Sequence, residues 1–294
     1  MIGSGASYPA IKLMRDCEGE TKEERNADLM SSVTGAMNDL FSNNEDEKTK
    51  SVADIYIAFF KIILDLLNKS NSRETPRTAN IFTTNYDLFI ENALDTLLQT
   101  ENFIINDGAC GYFNRFLDGA NYNRAVSYRG LNDNYTDELV TLNLIKPHGS
   151  INWVEDDDRI CICNTIQENF VRVPPTGVEA EETFMNNHFH EMLRIFQWEL
   201  DKPQSILLVI GFSFQDQHIA KMVRRALKNK ELIICVFVYK KDGIEDIMNN
   251  LKINAAPSNL YFIIEKDIDS SQEDDLSFEN LCKYLGGEEK YASE

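Results

Sequence analysis

Residues 80–98 read NIFTTNYDLFIENALDTLL, and this stretch decides the fold. Asn80–Thr84 is short, mostly apolar and rich in β-branched side chains, the pattern of a buried parallel strand. From Asp87 to Leu98 the apolar positions recur at helical spacing, so a helix is predicted to follow directly. The strand pattern repeats at Leu142–Pro147 (LNLIKP), Ser205–Ile210 (SILLVI), Leu232–Tyr239 (LIICVFVY) and Leu260–Ile264 (LYFII). Helical patterns lie between. Ser51–Leu67 places apolar residues at 52, 55, 59, 62, 63 and 66, with Ser51 and Asp54 spaced as a capping box. Glu181–Leu200 ends ahead of Pro203, and His218–Leu227 follows the third strand. Strands alternating with helices predict an α/β fold with a doubly wound, mostly parallel, Rossmann-like sheet.

Two regions interrupt the alternation. Residues 8–78 are expected to be mainly helical, and residues 101–140 are rich in Asn, Gly, Tyr and Arg. Both are expected to be insertions forming a smaller module or a lid, within one domain spanning 1–294. Ile151–Val154 and Arg159–Cys163 flank the acidic turn 155–158 and are expected to form a surface hairpin. The acidic runs at 45–47, 155–158 and 273–275 read as solvated loops or helix starts.

Of 294 residues 43% are hydrophobic, with 17 Phe and 11 Tyr, enough for a globular interior. The net charge of −19 repels a polyanion. Lys221, Arg224, Arg225, Lys228 and Lys230 form only a modest basic cluster, so direct nucleic-acid binding is not expected. Six cysteines, at 17, 110, 161, 163, 235 and 282, follow no framework, the usage of a reducing compartment. The start carries neither a basic region nor an apolar core, so no secretory signal is expected, and no apolar run is long enough to cross a bilayer. A cytoplasmic protein is predicted.

In open α/β sheets, ligands bind outside the carboxyl ends of the strands, and four polar motifs fall at such ends. Gly3-Ser4-Gly5-Ala6-Ser7 is small enough for backbone amides to approach a phosphate, or is a loose terminus. It lacks the third glycine of the dinucleotide fingerprint, and only Met1 and Ile2 precede it. Thr83-Thr84-Asn85-Tyr86-Asp87 has a capping reading, with Thr84 or Asn85 at the helix start, but capping needs one such residue and not a row. In Lys146-Pro147-His148-Gly149-Ser150, Pro fixes the approach and Gly frees the exit, aiming an imidazole suited to base chemistry near neutrality. His188 and His190 stand two apart on a predicted helix and share no face. In Gly211-Phe212-Ser213-Phe214-Gln215-Asp216, Ser213 and Asp216 have capping-box spacing, while Gly211 admits a ligand and Ser213 offers a hydroxyl to ribose or phosphate.

Taken in order, a glycine-rich start, an Asn-x-Asp motif, a His-Gly motif and a Gly-x-Ser motif resemble the sirtuin superfamily across nearly the whole chain. The wording Thr-Thr-Asn-Tyr-Asp, His-Gly-Ser and Gly-Phe-Ser-Phe-x-Asp-x-His resembles the bacterial sirtuin-like NADases of antiphage defence more than the protein deacylases. The resemblance implies that NAD is the substrate. Gly3, Ser4, Gly5, Ala6 and Ser7 would line its phosphates. Asn85 would hold the nicotinamide ribose and place a water, with Thr84 also in contact, and Asp87 would meet the carboxamide. His148 would act as base on a ribose hydroxyl or on that water, and Gly211 and Ser213 would contact the adenosine side.

Sirtuin deacylases carry a zinc held by two Cys-x-x-Cys pairs, whereas the one close pair here is Cys161-x-Cys163. No metal is therefore expected, and hydrolysis of NAD is favoured over peptide deacylation. The resemblance further implies NAD depletion in defence, controlled by oligomerisation or by a partner, a HerA-type ATPase ahead of a short Argonaute. Two alternatives stay open: an NAD-dependent deacylase or ADP-ribosyltransferase, and a non-catalytic module that senses NAD or ADP-ribose.

Overall fold

The computed structural model describes residues 1–42, 46–69, 76–129, 136–173, 187–268 and 275–286. Residues 181–186 of the expected helix, 43–45, 70–75 and 130–135 of the expected insertions, and 45 and 273–274 of the acidic runs lie outside the described residues. The chain divides into two units, residues 33–172 and residues 1–32 with 173–294.

The unit 33–172 holds the end of α1 (Lys22–Phe41), then α2 (Glu47–Lys69), β1 (Thr78–Phe82), α3 (Phe89–Leu97) and β2 (Ile104–Asn106). Asp46 accepts from the backbone N–H of Thr49 at 2.9 Å and from its hydroxyl at 2.8 Å. The cap of α2 is thus Asp46, and the expected Ser51–Asp54 box lies a turn inside the helix. Competing cappers upstream of an apolar stripe let the helix begin earlier than the spacing suggested. The buried face of α2 meets α3, where the rings of Tyr56 and Phe89 stack at 5.6 Å and 8°. Neither ring is exposed, and each such burial contributes about 1.5–3 kcal/mol.

After β2 come β3 (Ala109–Cys110), β4 (Phe116–Leu117), β5 (Ser127–Arg129), β6 (Thr136–Glu138), β7 (Thr141–Ile145), β8 (Trp153–Asp156) and β9 (Arg159–Ile162). The parallel sheet has the order β1-β7-β2. Every residue of β7 is buried, which is why its sequence is a nearly continuous apolar run. Asn143 interrupts that run, and the register places it opposite Asn80 on one side and Asn106 on the other. Its amide donates to Asn80 Oδ1 at 2.7 Å, and Asn106 Nδ2 donates to Asn143 Oδ1 at 2.9 Å. Three asparagines thus satisfy one another across the sheet. The strand β2 arises within 101–140, so that stretch supplies part of the sheet. The expected β8–β9 hairpin forms, and β4 and β3 extend it into a four-stranded antiparallel sheet; β5 and β6 pair by themselves.

The other unit holds α4 (Asn187–Asp201), β10 (Ile206–Ile210), α5 (Gln217–Ala226), β11 (Ile233–Phe237), α6 (Gly243–Leu251), β12 (Leu260–Ile263), α7 (Glu265–Ile268) and α8 (Phe278–Gly286). Its parallel sheet runs β10-β11-β12, and Ile2 bridges in parallel to Ile210. The cap of α5 is Asp216, whose carboxylate accepts from His218 and Ile219 backbone N–H groups at 2.8 and 3.2 Å. Ser213 is therefore not the capping residue its spacing suggested. The α/β class and the parallel sheets match the expectation from sequence.

Candidate active site

Because β1 and β7 are parallel neighbours, with Phe82 opposite Ile145, the segments that follow them leave the sheet side by side. The Thr83 N–H still donates to Ile145 O at 3.1 Å, and the chains then turn. One turn carries Asn85 and Asp87, the other His148, and all three side chains are buried. Helix α3 starts only at Phe89, and its first N–H donates to Asp87 Oδ1 at 3.3 Å. Neither Thr84 nor Asn85 caps it, so the capping reading explains Asp87 alone. The Asn85 backbone N–H donates to Thr83 Oγ1 at 3.1 Å, which shapes the turn and leaves the Asn85 amide outside the helix cap.

The second turn is tight. Gly149 N–H donates to Lys146 O at 3.1 Å, and Gly149 has φ +88°. A Cβ there would collide with the carbonyl oxygen of Val171, so glycine is required both for the backbone angle and for the close approach. His148 is thereby held in the sharp reversal that the Pro-His-Gly order predicts.

Between the two turns lies a group that sequence reasoning quoted but gave no role. Lys146 is 1% exposed, and its Nζ donates to Asp87 O at 2.6 Å, Ser150 Oγ at 2.8 Å and Glu91 Oε1 at 2.9 Å. Burial pushes the Glu91 carboxyl up from its ordinary value, and the Lys146 ammonium opposes that shift. A lysine directly after a mostly apolar run was the available signal, because a cation in that position must find partners.

In the other unit, the glycine-rich turn lies against the Gly211 turn. Gly3 N–H donates to Ile210 O and Gly5 N–H to Gly211 O, each at 2.9 Å, and Ala6 N–H donates to Gly3 O at 3.0 Å. A Cβ on Gly3 would stand 2.5 Å from Gly211 O. These glycines are thus needed for backbone packing, and three amides of the expected phosphate loop are engaged within the chain. Ser4 and Gly5 are exposed, as is Ser213, whose carbonyl accepts from Asn250 Nδ2 at 2.8 Å. A groove of about 140 Å³ on α5 and α6, walled in part by Lys221, Arg224 and Lys252, contains none of the expected site residues.

Residues 79–256 match the family model of the SIR2-like domain. The chain belongs to that family. The match runs from the second residue of β1 through β11 and α6, and so contains both turns around Lys146 and the Gly211 turn. Membership places the chain in the sirtuin superfamily and in a family of NAD-dependent enzymes. A comparison with curated proteins found no match. No group of three His, Cys, Asp or Glu among the described residues could hold a metal ion, and none of their helices is long and apolar enough to cross a membrane.

Proposed function

We propose that this chain hydrolyses NAD, releasing nicotinamide and ADP-ribose. The observation that carries the reading is the pair of neighbouring strand tips that bury Asn85 and His148 on turns tied together by hydrogen bonds. Breaking the bond between ribose C1′ and the pyridinium nitrogen develops oxocarbenium character on the sugar. The bonding electrons leave with nicotinamide, which departs neutral and needs no acid. The site must orient water and stabilise developing positive charge. Asn85 holds the nicotinamide ribose and directs the water, His148 takes the proton as water oxygen bonds C1′, and Asp87 meets the carboxamide. Thr84, the residue before Asn85 on its turn, contacts NAD as well. Gly3, Ser4, Gly5, Ala6 and Ser7 serve the phosphates, and Gly211 and Ser213 the adenosine side, on the strength of the motif resemblance.

In this reading the whole chain, 1–294, works as one catalytic domain, with 8–78 and 101–140 as insertions in a doubly wound fold. The setting is depletion of cytoplasmic NAD in antiphage defence, under control of self-association or of a HerA-type ATPase; the resemblance of the motifs supports this. The test is nicotinamide release from NAD alone, with and without candidate partners. Release that requires an acyl-lysine peptide or another acceptor would transfer the site to deacylation or ADP-ribosyl transfer, and NAD binding without turnover would make it a sensor.

A further inference from the structure

The chemistry just described gives Lys146 no part, yet that residue is among the most deeply buried side chains of its unit. Enclosing an ammonium costs several kcal/mol unless its donors are matched. An ammonium has three N–H groups, and Lys146 has three acceptors within 2.9 Å, so the set is complete. The acceptors are distributed unequally. Glu91, on the first turn of α3, supplies the countercharge. The other two belong to the two catalytic turns: the carbonyl of Asp87, two residues past Asn85, and the hydroxyl of Ser150, two residues past His148. Ser150 Oγ then donates to Tyr86 O at 3.3 Å, and the Ile151 N–H reaches the same carbonyl at 3.1 Å.

We propose that Lys146 is a positioning residue that locks the Asn85 turn to the His148 turn, holding amide and imidazole in one fixed relation before NAD binds. For its catalytic consequence this rests on the hydrolase reading. A lysine serving only to pair with Glu91 would need one bond; this one directs two of its three to the turns. The separation of the partners, 59 residues for Asp87 and 4 for Ser150, means that the lock joins segments the covalent chain does not hold together. Preorganisation of this kind matters because a displacement of about 1 Å in the reacting groups can cost ~100-fold in rate.

The experiment uses the full chain and the variants Ser150→Ala and Lys146→Met. Rates of nicotinamide release are measured over a range of NAD concentrations, and hydrogen exchange is followed across 83–91 and 146–151. Ser150→Ala is expected to lower kcat about tenfold, and Lys146→Met about 100-fold, with KM within about twofold. Exchange should quicken in both turns together while the amides of β1 and β7 keep their protection. Should Lys146→Met fail to fold, Ser150→Ala decides, because it leaves the Lys146–Glu91 pair in place. The lock is overturned if exchange quickens in one turn alone, or if kcat is unchanged. A parent chain that releases no nicotinamide under any condition overturns the hydrolase reading, and the exchange measurement still judges the lock.

Discussion

The backbone N–H of Gly5 donates to the carbonyl oxygen of Gly211 at 2.9 Å, and Gly211 itself sits at φ +63°. A Cβ on Gly211 would run into the backbone nitrogen of Ala6, so two glycine-bearing turns 206 positions apart close on each other at the edge of one sheet. Their small size is a packing requirement whatever ligand they also serve.

Gly211→Ala is therefore expected to destabilise its unit, by about 2–4 kcal/mol from the left-handed backbone and the collision together. Denaturant unfolding would measure it. If the glycines served only to admit a phosphate, the same substitution would weaken NAD binding and leave the unfolding midpoint where it was.

The asparagine ladder gives a second expectation. Asn143→Leu removes the donor to Asn80 Oδ1 and the acceptor for Asn106 Nδ2, whereas Asn106 retains its bond to Asn121 O at 3.1 Å. Stranding the Asn80 oxygen should cost about 1–3 kcal/mol. With Asn80→Ala added, the double variant should lose less than the sum of the singles, a coupling of about 0.5–3 kcal/mol for groups in contact. Additive losses would show that Asn80 and Asn143 contribute independently.

Glu91 makes stability depend on pH with a definite sign. Burial raises its carboxyl above the ordinary value of 4.5, so between that value and its raised folded-state value the native chain holds more proton than the unfolded one. Stability from this group is fully present below the ordinary carboxyl value and is lost as pH rises through the raised one. Glu91→Gln should flatten the unfolding free energy in that window. Unfolding curves that keep the same slope after the substitution would place the effect elsewhere.

How far the molecule was legible in its sequence follows from the range of the interactions involved. The five parallel strands were readable because each is a short, mostly apolar run, Thr141–Ile145 being buried at every residue, and the placement of Asn85 and His148 past strand ends was readable because polar rows there are local features. The helix caps were misjudged by a few residues at Ser51 and Ser213, where Asp46 and Asp216 do the capping; neighbouring residues of the same chemistry compete, and only the backbone decides. Short β2, Ile104–Asn106, was hidden inside a polar stretch because three residues carry too little periodicity. Lys146 was visible as a letter in KPHGS, but its meaning depends on the backbone carbonyl of Asp87 and the countercharge of Glu91, both more than 50 residues away. The Gly3–Gly211 contact was beyond reach for the same reason.

Asn85 and His148 offer the most direct test of the chemistry. Neither caps a helix, and both lie past the ends of their strands, so Asn85→Ala and His148→Ala should remain folded, each losing no more than about 1–3 kcal/mol for the buried polar groups left behind. Loss of a positioned base typically costs about 10²–10⁴-fold in rate, and loss of the group that places the water should fall in the same range. On the proposed mechanism both act on one water in one step, so their effects should not add: the double variant should be scarcely slower than the slower single one. Steady-state rates of nicotinamide release from the three variants settle the matter. A double variant whose loss equals the product of the two singles would mean that amide and imidazole serve separate steps, and the shared water would have to be abandoned.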